Sequence, residues 1–117
     1  MKNTYFDVQV NGYAGIDFNQ NDLTLENLTK ACLKLEQDRV SGILATIITA
    51  DLSDMIIRVK NLVRLRNQSA TIANMIKGIH LEGPFINSAD GYRGAHPQAF
   101  ILRPSVERMT MLLNACG

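Results

Sequence analysis

The sequence predicts an α/β fold of parallel βαβ units, and three observations lead there. Strand-length apolar runs at about 5–11, 43–49 and 77–82 alternate with helix-length amphipathic stretches at about 24–40, 53–67 and 105–114. The middle run, Ile43-Leu44-Ala45-Thr46-Ile47-Ile48-Thr49, is apolar without clean alternation, as a strand covered on both faces requires. The connections between runs are long enough to hold a helix, which joins successive strands in parallel through right-handed crossovers.

Each element has a local reason. Tyr5-Phe6-Asp7-Val8-Gln9-Val10-Asn11 is rich in aromatic and β-branched residues and stops at Gly12, a strand running into a loop. Leu25, Leu28, Ala31, Cys32 and Leu35 recur at steps of three and four, with Thr24 or Asp22 as N-cap, so an amphipathic helix runs to about Val40 and Gly42 ends it. Ser53 with Asp54 caps a second helical pattern through Ile56, Val59, Leu62, Val63 and Leu65, and a turn around Thr71 to Met75 leads to the third strand, ending Gly78 to Glu82. Gly83 to Arg103 is polar and rich in Gly and Pro, a long loop, after which Pro104-Ser105 opens a last helix with Met109, Leu112 and Leu113 on its apolar side.

Composition narrows the function. The chain has 117 residues, 46% hydrophobic and 20% charged, which fits one soluble domain. Its net charge of +1 comes from interleaved signs, which gives no basic footprint for nucleic acid or an anionic membrane. No run approaches the roughly 18 apolar residues of a membrane span, and Asp7 interrupts the N-terminus before a signal core develops, so a cytoplasmic protein is expected. Cys32 and Cys116 lack a close-spaced partner and read as reduced thiols. Three strands alone leave two unpaired sheet edges, so the isolated chain is expected to be marginally stable or to self-associate.

The residues that can do chemistry gather near strand ends. Glu82 places a carboxylate at the end of an apolar run, an expensive position unless it is paired or binds a metal. His80 lies two residues earlier and so shares its face; the pair is either a hydrogen-bonded couple inside a packed interior or a metal ligand with a supporting imidazole. Gln9 and Asn11, also two apart, end the first strand and would converge on the rim of Glu82 if their strands are parallel and adjacent. As neutral amides they suit a water or a substrate carbonyl better than a transition metal. Gly12-Tyr13-Ala14-Gly15 lacks the further glycine and the Lys-Ser/Thr of nucleotide loops and reads as a flexible turn. His96, in Gly94-Ala95-His96-Pro97, lies in a loop after the key strand, where substrate contacts concentrate. Arg58, Lys60, Arg64 and Arg66 make a solvated helix face.

Taken together, His80-Leu81-Glu82-Gly83-Pro84-Phe85, then Gly94-Ala95-His96-Pro97, preceded by Asp7-Val8-Gln9-Val10-Asn11-Gly12 and Gly15-Ile16-Asp17-Phe18, resemble the N-acetylglucosamine-6-phosphate deacetylases of the amidohydrolase superfamily. The resemblance implies a (β/α)8 barrel of the TIM type, of which this chain would be the first three strands and so incomplete. It implies hydrolysis of an amino-sugar phosphate, N-acetylglucosamine 6-phosphate, to glucosamine 6-phosphate and acetate. By position, Glu82 matches the metal-ligand glutamate, Ala95 a residue whose backbone contacts the sugar, and His96 a loop histidine lining the pocket. Gln9 and Asn11 match the place where many superfamily members carry a His-x-His pair, which implies one divalent metal ion, zinc first and iron or another divalent ion next. The resemblance also implies that the remaining ligands and the general-base aspartate lie beyond Gly117, so that no catalytic residue is within this chain and the chain is inactive alone. A different class of function, a non-catalytic half-barrel that binds or assembles with another chain, competes with it. An amidohydrolase acting on a cyclic amide or a nucleobase ranks below both, because it leaves the Glu-Gly-Pro and Gly-Ala-His blocks unexplained.

Overall fold

The computed structural model describes residues 4–117. Its centre is a parallel sheet of three strands, β1 (Tyr5–Val10), β4 (Val40–Ile48) and β5 (Ile76–Glu82), in the order β1-β4-β5. The helices are α1 (Leu25–Gln37), α2 (Leu52–Gln68), α3 (Ala70–Met75) and α4 (Val106–Cys116). A small antiparallel hairpin, β2 (Gly12–Tyr13) with β3 (Ile16–Asp17), follows β1. The expected α/β class with parallel strands is what the chain adopts.

Caps set where the helices begin. Thr24, Asp51, Ser69 and Ser105 each accept a hydrogen bond from a backbone N–H of the first turn, satisfying donors that have no partner within the helix. Asp51 rather than Ser53 is the cap of α2, and its carboxylate takes both the backbone N–H and the hydroxyl of Ser53. The segment expected to be a turn, Thr71 to Met75, is helical, because Ser69 ends α2 and at once caps α3.

The first helix stops earlier than its periodicity implies. Asp38 is its C-cap and Arg39 takes a left-handed φ of 68°, so the reversal falls three residues before Gly42. Gly42 lies instead within β4, where a Cβ would press on the Phe6 ring and the Lys77 side chain; its role is clearance between strands. The Gly-x-x-Gly segment is likewise defined, with Ala14 and Gly15 both at positive φ in the tight turn joining β2 to β3.

The core lies between one face of the sheet and the helices. Ile43, Ala45 and Ile47 of β4 are buried with Leu28, Ala31 and Leu35 of α1, Met55, Val59, Leu62 and Leu65 of α2, Ile72 of α3 and Leu112 of α4. Each large apolar side chain so buried contributes roughly 1.5–3 kcal/mol before the entropy of ordering is set against it. β4 is central, buried along most of its length, as its unbroken apolar run requires. β1 departs from that pattern: Tyr5, Phe6 and Val8 are exposed and only Val10 is buried. Among the described residues the outer edges of β1 and β5 have no strand partner, and no helix is long and apolar enough to cross a membrane.

Candidate active site at the strand ends

The three strands run the same way, so their C-terminal ends form one rim, and the candidate residues rise from it. β4 separates β1 from β5, so the strands bearing Gln9 and Glu82 are not neighbours as the convergence of their side chains had required. Gln9 nevertheless spans the intervening strand, and its Nε2 donates to Glu82 Oε2 at 2.7 Å. The other carboxylate oxygen, Oε1, lies 3.2 Å from His96 Nε2. One carboxylate thus joins the end of β1, the end of β5 and the loop after it, with side-chain exposures of 32% for Glu82 and 18% for His96.

Loop geometry brings His96 back. Gly83 breaks the strand with φ at 97°, a conformation that L side chains rarely adopt. Downstream, Leu102 N–H bonds the Pro84 carbonyl at 3.0 Å and closes the loop at its base. His96 Nδ1 then meets Thr49 Oγ1 at 2.7 Å, just past the end of β4.

Not every expected residue joins this group. His80 does not bond Glu82; its Nδ1 faces Thr46 Oγ1 at 3.1 Å, two register pairs below that of Glu82. The imidazole beside the carboxylate is therefore that of His96, fourteen residues on in sequence. Asn11 sits just past the end of β1, where its carbonyl accepts from Phe18 N–H at 2.9 Å and from Asn19 Nδ2 at 3.5 Å, and its side chain makes no hydrogen bond among the described residues. Ala95 is exposed in the loop next to His96.

Three contributors escape a reading of the sequence. Among the described residues Thr46 and Thr49 are the buried polar ones, in or next to an apolar strand, and each hydroxyl meets one of the two histidines. A hydroxyl inside an apolar run is the signal that could have found them, since buried polar groups require partners. Asn19 left no such signal. β1 ends at Val10, paired with Ala45, so the next backbone groups of β4 have no neighbour on that side. Asn19 supplies one: its Nδ2 donates to Thr46 O and its Oδ1 accepts from Ile48 N–H, both at 2.9 Å. Its amide takes the place of the peptide unit that β1 no longer offers.

A clamp at the opposite end of the hairpin fixes its position. Tyr13 Oη donates to Asp38 Oδ2 and Lys34 Nζ to Asp38 Oδ1, each at 2.8 Å. The Lys34 ammonium, and after it the Tyr13 hydroxyl, hold the Asp38 carboxyl below its ordinary range.

The donor set fits part of a metal site. A carboxylate oxygen and an imidazole nitrogen are both ligand atoms for a divalent transition metal, whereas the Gln9 amide is a poor one. Among the described residues no group of three or more His, Cys, Asp or Glu side chains converges. These residues therefore supply fewer than the three protein ligands that a catalytic zinc site uses.

Comparison with known proteins points one way. A deacetylase acting on N-acetylglucosamine 6-phosphate in Danio rerio is 35% identical over 99 residues, 83% of this chain and 23% of the relative. The crystal structure of N-acetyl-D-glucosamine-6-phosphate deacetylase from Mycobacterium smegmatis superposes on 97% of the chain with a TM-score of 0.80 at 25% identity. Along nearly all of its length, the chain is similar to N-acetylglucosamine-6-phosphate deacetylases. The Pasteurella multocida enzyme agrees, with a TM-score of 0.78 and 27% identity over 96% of the chain. In each case the chain spans about a quarter of the relative's length: 23% of the Danio sequence and 28% of either solved chain. No protein-family model matches it. The resemblance drawn from the Glu-Gly-Pro and Gly-Ala-His blocks thus extends over most of the chain.

Proposed function

We propose that the rim around Glu82 is one part of a deacetylase active site, on a (β/α)8 barrel whose first three barrel strands are β1, β4 and β5. The reaction is hydrolysis of the acetamide of N-acetylglucosamine 6-phosphate to glucosamine 6-phosphate and acetate. The observation that supports it is the carboxylate of Glu82 at a parallel strand's C-terminal end, oriented from both sides by Gln9 and His96. Ligands collect at that end of parallel sheets, where loops bring side chains from several strands together.

Glu82 is the ligand this chain offers to one divalent ion, zinc first and iron or another divalent ion next, with further donors from outside these 117 residues. When bound, the ion supplies Lewis-acid polarisation of the amide carbonyl and a water of lowered pKa. Gln9 turns the carboxylate by donating to Oε2, leaving Oε1 as the oxygen on the His96 side. His96 and the exposed backbone at Ala95 line the substrate's side of the loop, with Asn11 at the end of β1. The proposed setting is the cytoplasm, where Cys32 and Cys116, both free thiols, stay reduced.

The test compares the 117-residue chain with a version extended to the length of its relatives, by metal analysis and acetate release. The extended protein should bind metal and release acetate, and Glu82→Gln should remove both together. Acetate release by the 117-residue chain alone, or a Glu82→Gln enzyme of unchanged metal content, overturns the assignment. The alternative, a half-barrel assembly module, draws on one observation: Tyr5, Phe6 and Val8 are exposed on a strand with a free edge. It gains if the extended protein neither binds metal nor releases acetate while the chain forms stable oligomers.

A further inference from the structure

We propose that Asp7 is a positioning residue of this rim, holding a bulge in β1 that turns Gln9 onto the face of the sheet where Glu82 lies. The inference deepens the deacetylase reading and rests on it for the reaction served, while its evidence is strand register.

Alternation in the other two strands assigns the faces. Ile43, Ala45 and Ile47 of β4 point into the core, so Gly42, Leu44, Thr46 and Ile48 take the opposite face. His80 of β5 pairs with Thr46 and Glu82 with Ile48, which puts the Glu82 carboxylate on that second face. Phe6 belongs there too, since it pairs with Gly42 and a Cβ on Gly42 would press on its ring. Strict alternation onward from Phe6 would place Val8 and Val10 on the face of Glu82 and point Gln9 toward the helices.

The chain does the reverse. Asp7 pairs with Ile43 and Val10 with Ala45, so three steps along β1 are matched by two along β4. The extra residue is a β-bulge, and it exchanges the faces of everything beyond it. Val10 consequently enters the core at 6% exposure, and Gln9 reaches across β4 to Glu82 Oε2 at 2.7 Å. A bulge interrupts the ladder, so backbone groups within it need another partner. Asp7 provides one, its Oδ1 accepting from Gln9 N–H at 3.0 Å. An aspartate that bonds the N–H two residues on curls the chain locally, as in an Asx turn. Asp7 is itself exposed on an edge strand and lies outside the apolar core, which leaves this bend as what its carboxylate does.

The consequence for the rim is the orientation of one carboxylate. With Gln9 aimed by the bulge, Oε2 of Glu82 is held by an amide from β1 and Oε1 faces the loop that carries His96. With Gln9 turned to the helices, Glu82 would lose its donor from β1 and the restraint on its rotation.

The test needs neither substrate nor metal. In NMR spectra of the 15N-labelled 117-residue chain, a side-chain amide proton donated to a carboxylate lies downfield of a free one, and Gln9→Leu assigns the Gln9 pair by its disappearance. The urea-unfolded chain gives the position of the same pair without a partner. Asp7→Val and Asp7→Ala should move the Gln9 signal to that unbonded position while the chain stays folded. Asp7→Asn, which keeps an acceptor oxygen, should retain the wild-type shift. A wild-type signal already at the unbonded position overturns the proposal, as does a wild-type shift in Asp7→Val or Asp7→Ala, or a lost shift in Asp7→Asn. Nuclear Overhauser contacts that set Gln9 rather than Val10 beside Ala45 overturn it as well. So does loss of folding in both Asp7→Val and Asp7→Ala, because the residue would then carry the fold rather than aim one side chain. Failure of the deacetylase reading is separately visible: the Gln9 shifts behave as described while the extended protein releases no acetate.

Discussion

Replacing Asn19 with Ala tests whether a side-chain amide really continues the sheet where β1 stops. The substitution removes two 2.9 Å hydrogen bonds to the backbone of β4, at Thr46 O and Ile48 N–H. A net contribution of about 0.5–1.5 kcal/mol for each gives roughly 1–3 kcal/mol in total, a factor of about 5 to 150 in the folding equilibrium. The sites are part-buried, so water entering the gap offsets some of the penalty for the orphaned groups, and the lower half of that range is expected. Urea unfolding followed by circular dichroism gives the free energy, and hydrogen exchange gives the local effect: the Ile48 amide should lose protection while Ile43 and Ala45 lose only the global share. Asn19→Asp keeps the acceptor for Ile48 N–H and loses the donor to Thr46 O, so it should restore the Ile48 protection in part. A stability change below about 0.5 kcal/mol with an unchanged Ile48 exchange rate would refute the splice.

Four further outcomes follow from the same geometry. Gly83→Ala should destabilise the chain by at least roughly 1–3 kcal/mol, because φ there is 97° and the Thr49 hydroxyl occupies the space; an unchanged urea midpoint would contradict this. Leu112→Ala should cost about 2–5 kcal/mol, since this α4 residue is fully buried, and calorimetry would expose a smaller effect. Burial pushes the Cys32 thiol up to about 11 from 9.0, so its share of stability is complete below about 9 and lost as pH rises toward 11; Cys32→Ala should flatten that alkaline limb in unfolding midpoints measured against pH. Asp38 works in the opposite direction: its carboxyl is held below 3.8, so its contribution is present above that value and lost as pH falls through the lower folded one. Asp38→Asn should shorten the acid limb of the same curve, and an identical limb would dismiss the clamp.

The alternation of apolar runs was enough to read three parallel strands and the helices between them, because β4 is buried along its length and the helices present one apolar face. Element ends were less legible. The end of α1 depends on Arg39 entering a left-handed conformation, which nothing in its residue type announces, while the glycine that looked like the stop serves packing between strands. At the rim, Glu82, Gln9 and His96 were identifiable by type and position, and the structure does join them. The partner assigned to Glu82 was wrong in one respect, since alternation puts His80 on its face but a rise of two residues along the strand separates them. Period-two reasoning gives faces; it cannot say which loop folds back over a strand end. Asn19 and Thr49 belong to that second kind of information, fixed by where β1 ends and where the loop after Gly83 returns.

Both imidazoles lean on alcohols supplied by one stretch of chain, Thr46 within β4 and Thr49 just past its end, and neither residue belongs to the apolar cluster behind them. A library of this segment sorted only for soluble, cooperative folding would therefore let aliphatic replacements accumulate at these two places. Such clones would pass that sort while their histidines had lost these two contacts. Any effort to recombine or transplant this βαβ segment should score ring geometry alongside thermal tolerance.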